Sequence, residues 1–260
     1  MGEIILRGAD LTAEDLERYD RQIRLPALGE EGQRRLKGAK VVVVGAGGLG
    51  SPCSIYLAVA GVGHIVIYDS DVVELSNLNR QILHGDEDIG RPKAVSAREK
   101  LQRLNGAISI ETRMERLDEA NVDEAIRDAD VVVDCLDNFA TRYLLNEACI
   151  RLGKPLVHAT IYGLEGHLTT IIPGKTPCLV CLYGPERPPE IKPFPVIGVT
   201  PGVIGTLEAL EAIKLITGMG RTLAGRFLRF DGEEMTFEIF EIRRKSNCPA
   251  CGNLRRKGVR

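Results

Sequence analysis

Two groups of residues in this chain have types and spacings that could do chemistry. The first is Gly45-x-Gly47-Gly48-x-Gly50. Between a strand and a helix, such a turn lets a nucleotide's phosphates meet free backbone N–H groups and the positive end of a helix dipole. Glycine is wanted because a Cβ would hold the phosphate away. Asp69, at the end of the next strand, could accept hydrogen bonds from ribose hydroxyls. The turn alone does not separate NAD from ATP, so an NAD-dependent dehydrogenase is a rival, and a ligand-free strand–helix turn is the plainer alternative. The second group is Cys178-x-x-Cys181 with Cys248-x-x-Cys251. Four thiolates suffice for closed tetrahedral Zn²⁺, and a closed shell leaves no position for substrate, so such a metal is structural. Four free buried thiols are the alternative. Cys53, Cys135 and Cys149 lie in apolar segments and read as packing residues. Gly174-Lys175-Thr176 looks like the end of a P-loop, but Thr169 holds the required upstream glycine position and no helix pattern follows. It reads as a turn.

These residues need elements to position them. Lys40–Val44 is an unbroken β-branched run suited to a strand buried on both faces, and an apolar helix pattern runs from Ser51 to Ala60. His64–Tyr68, Ile108–Thr112 and Asp130–Asp134 read as further strands, with helices over Pro92–Leu104 and Thr141–Leu152. That alternation predicts a parallel sheet covered on both faces. After Pro155 the pattern changes. Leu156–Ala159, Gly166–Ile172, Phe227–Phe230 and Met235–Ile242 read as strands, with one helix, Gly205–Thr217, among them. Short connections favour antiparallel pairing, so the expected fold class is α/β: a Rossmann-like, doubly wound mixed sheet with a parallel N-terminal half and an antiparallel C-terminal half. Gly184–Pro195 carries five prolines and little periodicity. It reads as a loop long enough to be functional.

Composition excludes several classes. The 260 residues are 44% hydrophobic and 27% charged, with a formal charge of −2. A nucleic-acid binder relying on bulk positive charge needs an excess of Lys and Arg, and the tail Arg255-Arg256-Lys257 reads as a solvated end. No apolar run approaches the roughly 20 residues that span a bilayer. Met1–Asp10 lacks a signal-peptide pattern, so a cytoplasmic location is expected. Seven cysteines are an odd count for a disulfide framework and fit metal binding better.

Further motifs lie in order along the chain: Arg18-Tyr19-Asp20-Arg21-Gln22, the glycine turn through Ser51, Asp69-x-Asp71, Ser76-Asn77-Leu78-Asn79-Arg80-Gln81, Gly90-x-Pro92-Lys93, Asp134-x-x-Asp137-Asn138 and the cysteine pairs. With these, from about Arg18 to Gly252, the chain resembles the MoeB/ThiF family, bacterial and archaeal relatives of ubiquitin-activating enzymes. The resemblance implies one adenylation domain over residues 1–260: a helical arm at 1–38, a nucleotide-binding half at 39–154, and a carrier-binding and zinc half at 155–260. It also implies ATP-dependent adenylation of a carboxylate. An α-carboxyl with a pKa of roughly 3.3–3.7 is already ionised, so the difficulty is bringing an anion to a triphosphate rather than removing a proton. Catalysis would rest on positioning and charge neutralisation.

By resemblance, Asp69 holds the ribose, and Asn77, Arg80 and Lys93 contact the phosphates. Asp137 binds Mg²⁺ or helps place the α-phosphate, and Asp71, Gln81 and Asn138 belong to the same nucleotide site. Arg21 matches an arginine that reaches across a homodimer interface to the partner's ATP. Each has a plainer alternative: a surface ion pair for Arg21, loop bracing for Asn77, Asn79 and Arg80, helix capping for Asp137. Lys93 starts a helix, a poor place for a cation unless an anion is near.

The expected substrate is a small β-grasp sulfur carrier ending in Gly-Gly, serving molybdopterin, thiamin or tRNA thiolation, with Gly184–Pro195 covering its tail. Many relatives carry a cysteine just before the segment matching Val196-Ile197-Gly198, whereas this chain has none between Cys181 and Cys248. Adenylation without an enzyme–carrier thioester is therefore expected. Two alternatives are adenylation of a small-molecule or tRNA-base carboxylate, and a catalytically silent scaffold partner, which would have no need of a cationic phosphate cradle.

Overall fold

The computed structural model describes residues 8–189 and 193–253. The basic tail, most of Met1–Asp10 and the middle of the proline-rich loop lie outside the described residues. Three short helices come first: α1 (Ala13–Arg18), α2 (Asp20–Ile23) and α3 (Gly29–Gly38). Thr12 starts α1 with a capping box, accepting from the Asp15 N–H while the Asp15 carboxylate accepts from the Thr12 N–H.

Residues 39–154 then alternate strand and helix as expected. They comprise β1 (Lys40–Val44), α4 (Gly50–Val59), β2 (His64–Tyr68), α5 (Lys93–Leu104), β3 (Ser109–Arg113), α6 (Val122–Ile126), β4 (Val131–Asp134) and α7 (Phe139–Leu152). Next come β5 (Leu156–Tyr162), β6 (Glu165–Ile171), α8 (Leu179–Tyr183), α9 (Val199–Thr217), β7 (Arg226–Asp231) and β8 (Thr236–Glu241). One sheet runs β3-β2-β1-β4-β5-β6-β7-β8. Pairings from β3 to β5 are parallel and those from β5 to β8 antiparallel. The expected mixed sheet is what the chain forms.

The β-branched run of β1 explains its central place. Val41 and Val43 pack in one core with Leu57, Leu101 and Ile204, while Val42 and Val44 pack in the other with Ile126, Leu145 and Leu156. Side chains alternate across the sheet, and each buried valine or leucine contributes roughly 1.5–3 kcal/mol. Strand order reverses around β1, with β2 on one side and β4 on the other. That is the topological switch point where open α/β sheets bind ligands.

The helices depart from expectation chiefly at four places. Helix α9 begins at Val199, six residues before the expected Gly205. Pro201 falls in its first turn, where a missing N–H has no carbonyl to lose, so it does not stop the helix. Helix α7 starts at Phe139 because Asn138 caps it, its Oδ1 accepting from the Thr141 N–H at 2.9 Å. The five-residue helices α6 and α8 are too short to show a helical period in sequence. Gly174-Lys175 forms a turn, as read.

Candidate functional site

The glycines of the turn after β1 are held there for different reasons. Gly45 has φ +105°, and a Cβ on it would meet the Cys135 carbonyl oxygen at 2.5 Å. A Cβ on Gly50 would lie 1.9 Å from the Gly45 carbonyl oxygen. The fold itself demands both. At Gly48 a Cβ would press on Pro201 of α9 at 3.2 Å. Gly47 differs: its nearest neighbour would be Gln81 Nε2 at an ordinary 3.6 Å, and its φ is not positive. Internal packing gives no reason for glycine there. Its open side faces the cavity, where a bound group would need close approach to the backbone. The α4 N-cap, Leu49, offers no side-chain acceptor to the helix's first N–H groups. Beneath the turn, His84 Nε2 donates to the Ala46 carbonyl at 3.0 Å, so Nδ1 accepts from the Ser96 hydroxyl at 2.9 Å. Burial lowers the His84 pKa and keeps the ring neutral.

A cavity of ≈ 720 Å³ opens above this turn. That size suits a small-molecule or cofactor site. It is lined by Gly45, Gly47 and Gly48, by Asp69 and Asp71 after β2, by Arg80, Gln81 and Lys93, and by Asp137 and Asn138 after β4. Asp69 Oδ2 accepts from the Ala46 N–H at 2.7 Å and Oδ1 from the Asp71 N–H at 2.9 Å. Burial pushes its carboxyl above the ordinary range, against those two N–H groups and the charge of Lys93. Lys93 is buried at the first position of α5, its Nζ 3.1 Å from the exposed Asp71 carboxylate. Its own helix gives that cation no favourable dipole. Arg80 reaches back to the Ser76 carbonyl at 2.8 Å and Asn79 Oδ1 at 3.1 Å. Asp137 is exposed at the end of the β4 turn, just before the α7 cap.

Three expected site residues do not line this cavity. Gly50 packs against Gly45. Asn77 is buried as the last residue of a one-turn 3₁₀ helix (Leu75–Asn77), its Oδ1 accepting from the N–H of the N-cap Glu74 at 3.1 Å. Arg21 is exposed on α2. Its neighbour Gln22 donates to the Ala60 carbonyl at the far end of α4. Ten residues of helix place that end about 15 Å from the glycine turn, so Arg21 belongs to the opposite end of the sheet.

The cavity wall also holds residues that sequence reading passed over. Arg142, Tyr183, Thr160, Tyr162 and His167 line it, as do Pro189 and Phe194 of the proline-rich segment. The one sequence signal for the first of these was its face of α7. Phe139, Arg142 and Tyr143 fall at i, i+3 and i+4, and the Arg142 guanidinium lies over the Phe139 ring at 5.4 Å.

The four paired cysteines come together behind the sheet, all buried, with every sulfur within 4.8 Å of the others. Cys178 Sγ lies 4.0 Å from Cys181 and 3.7 Å from Cys248, and Cys181 lies 3.5 Å from Cys251. Zn–S bonds of ~2.3 Å set tetrahedral S···S edges of about 3.8 Å, close to these three separations, so this donor set suits the ion. Burial raises the Cys248 thiol, but the Cys251 and Ala250 N–H groups and the neighbouring thiols outweigh it and bring its pKa to about 7. Cys53, Cys135 and Cys149 are buried packing residues, as expected.

Fold and site together define a Rossmann-like α/β protein whose glycine turn opens on a polar cavity, with a four-cysteine cluster outside it. The profile of the ThiF family matches residues 19–250. The SAMP-activating enzyme E1 of Haloferax volcanii is 49% identical over 247 residues, covering 93% of this chain and 91% of the relative. The sulfur carrier protein adenylyltransferase of Thermus thermophilus is 47% identical, covering 93% of each. Among solved structures, E. coli MccB with MccA-N7isoASN superposes with a TM-score of 0.83 at 25% identity, covering 94% of this chain and 76% of that one. The chain belongs to the ThiF family, and its activity is that of an adenylyltransferase. Among the described residues, no helix is long and apolar enough to cross a membrane.

Proposed function

We propose that this enzyme uses ATP to adenylate the C-terminal Gly-Gly carboxylate of a ubiquitin-like sulfur-carrier protein. One observation carries the reading. A single cavity is bordered by a glycine whose open side needs no packing explanation, by the side chains of Arg80 and Lys93, and by Asp137. The phosphates would lie along Gly47 and the start of α4, with the ribose on Asp69 and the cations reducing repulsion between triphosphate and carboxylate. A carboxylate oxygen attacks the α-phosphorus, the bond from that phosphorus to the bridging oxygen breaks, and pyrophosphate leaves with the electron pair. Asp137 would hold Mg²⁺, which when bound neutralises phosphate charge. The four cysteines would hold structural Zn²⁺.

The far lobe of the cavity favours a thin tail. Its lining by Thr160, Tyr162, His167, Pro189 and Phe194 lies on the face of the antiparallel sheet that also carries Arg229, Glu238 and the exposed Phe240. A protein-sized carrier needs such a surface, and two glycines pass where a Cβ would not. The proline-rich segment would cover that tail. The identity of the two relatives described above supports the same substrate class. The position of Arg21, remote from its own cavity, suits a homodimer in which each arginine serves the partner's site. Seven cysteines, none of them disulfide-bonded, suit the reducing cytoplasm proposed as its compartment.

Isotope exchange between pyrophosphate and ATP tests the proposal. Exchange that appears only with a Gly-Gly-ending β-grasp protein supports it. Carrier-independent AMP formation would instead assign a small-molecule carboxylate, and undiminished exchange in Asp137→Ala would remove that residue from the chemistry.

A further inference from the structure

We infer that His158 is a positioning residue, part of a buried relay that fixes the peptide before Asp137 and ties it to Tyr183, where the proline-rich segment departs. The inference rests on the proposed role of Asp137 at the nucleotide.

The relay begins at the end of β4. Asp134 is fully buried, and its Oδ1 accepts from the Leu136 N–H at 3.2 Å. The carbonyl of that same Leu136 accepts from the Arg142 guanidinium. The residue preceding Asp137 is thus held on both sides, by the acid of β4 and the base of α7. Arg142 Nε points toward Asp134 Oδ1 at 3.7 Å, so the two charges compensate each other in the interior. Asp134 Oδ2 lies 2.6 Å from His158 Nδ1.

A carboxylate accepts, so Nδ1 carries the proton and Nε2 is left as an acceptor. The Tyr183 hydroxyl stands 3.3 Å from Nε2 and donates to it. Burial lowers the pKa of His158, which keeps the imidazole in this neutral form.

Tyr183 is the last residue of α8, two beyond the metal-ligand candidate Cys181. Its ring stands edge-on to Phe139 at 5.6 Å and to His158 at 5.8 Å. The next carbonyl, Gly184, accepts from the Tyr143 hydroxyl at 2.9 Å. The residue that opens the proline-rich segment is therefore anchored to the first two turns of α7, which also grip Leu136. His158 itself is 1% exposed and does not line the cavity, so it acts only through its neighbours.

Side-chain isosteres separate the two halves of the imidazole. His158→Asn places an amide near the Nδ1 position and keeps a donor for Asp134. His158→Gln places its amide near Nε2 and keeps a partner for Tyr183. Carrier-dependent pyrophosphate exchange is measured for both, for Tyr183→Phe, and for each change in an Asp137→Asn background. Misplacing a catalytic group by about 1 Å costs up to ~100-fold, so His158→Gln should lower kcat roughly ten-fold to a hundred-fold with the KM for ATP within about two-fold. His158→Asn should recover most of that loss. On top of Asp137→Asn, neither change should lower kcat further, because both act through the same residue.

A folded His158→Gln enzyme with wild-type kcat, or losses that multiply with Asp137→Asn, would overturn the inference. If His158→Gln does not fold, His158→Ala decides by the same criteria. Tyr183→Phe, which leaves the Asp134 bond intact, should keep kcat within a few-fold as His158→Asn does; a loss of about ten-fold or more in Tyr183→Phe would overturn the inference. Absence of exchange in the wild-type enzyme would sink the function proposed above rather than the relay. In that case the relay is read from the mobility of the Leu136–Asp137 amides by NMR, expected to rise in His158→Gln and not in His158→Asn; equal mobility in both would overturn it.

Discussion

Replacing Gly47 by alanine separates what the glycine turn does for the fold from what it does for a ligand. The added methyl meets only Gln81 Nε2 at 3.6 Å, and the backbone there is open to any L-residue. Stability without nucleotide should therefore hold or rise by about 0.4–1 kcal/mol, since alanine restricts the unfolded chain. Binding should suffer. The methyl would occupy the space through which phosphate oxygens reach the N–H groups of the turn. Losing one or two charge-assisted hydrogen bonds at roughly 1.5–3 kcal/mol each weakens ATP by about ten-fold or more. Gly45→Ala should behave in the opposite order. Its φ of +105° and its 2.5 Å approach to the Cys135 carbonyl should cost about 1–3 kcal/mol or more before any ligand is added. Urea unfolding of the apo proteins and calorimetric titration with ATP and Mg²⁺ read both quantities. A Gly47→Ala protein that binds ATP as tightly as wild type would refute the placement of the phosphates.

Three further outcomes are expected. Removing the metal with a strong chelator, or substituting Cys248→Ser, should lower the melting temperature and loosen the chain around α8, detected as faster proteolysis near Gly184; an unchanged melting temperature would mean that the four thiols hold no ion. Burial alone would raise the Asp88 carboxyl, but Lys100, the Gly85 N–H and Ser96 outweigh it and bring its pKa to about 2, against an ordinary 3.8. That lowered value contributes about 2 kcal/mol of stability, present above pH ~4 and lost as pH falls toward 2, and Asp88→Asn should flatten that part of the urea-midpoint profile. Arg21→Ala and Asp137→Ala should each keep, alone, a measurable activity of at most about 1% of wild type. Mixed and re-equilibrated, half the dimers become hybrids with one intact site, restoring about a quarter of wild-type activity; no recovery would refute the cross-subunit arginine.

The parts of this molecule legible in its sequence are those written in local pattern. The valine run of β1, the glycines after it and the alternation of strands with helices gave the parallel half, and the two C-x-x-C spacings gave the cluster. Other features depend on what meets what across distance. Arg142 reads as a solvated mid-helix cation, yet it is 4% exposed because Asp134 and the Leu136 carbonyl meet it. His158 sits in an ordinary strand, 24 residues from its partner Asp134. Glu208 and Glu211 look like the wet face of α9, but both are buried, and burial pushes Glu208 far above the carboxylate range. Glu211 is held by Thr170, the Leu223 N–H and Lys214. The start of α9 at Val199 is hard to see in sequence because Pro201 and Gly202 are poor helix formers, although in the first turn a proline costs the helix little.

The cysteine cluster joins pieces of chain 70 residues apart. During synthesis, therefore, the ribosome delivers the whole parallel half, the covering segment and both final strands before the second pair can close on the first. Until then Cys178 and Cys181 wait half-coordinated at the root of that segment. A metal held by these thiols as proposed would be captured late in the life of each new molecule, and a zinc-starved cell would then accumulate chains with the cavity built and the cysteine cluster still open.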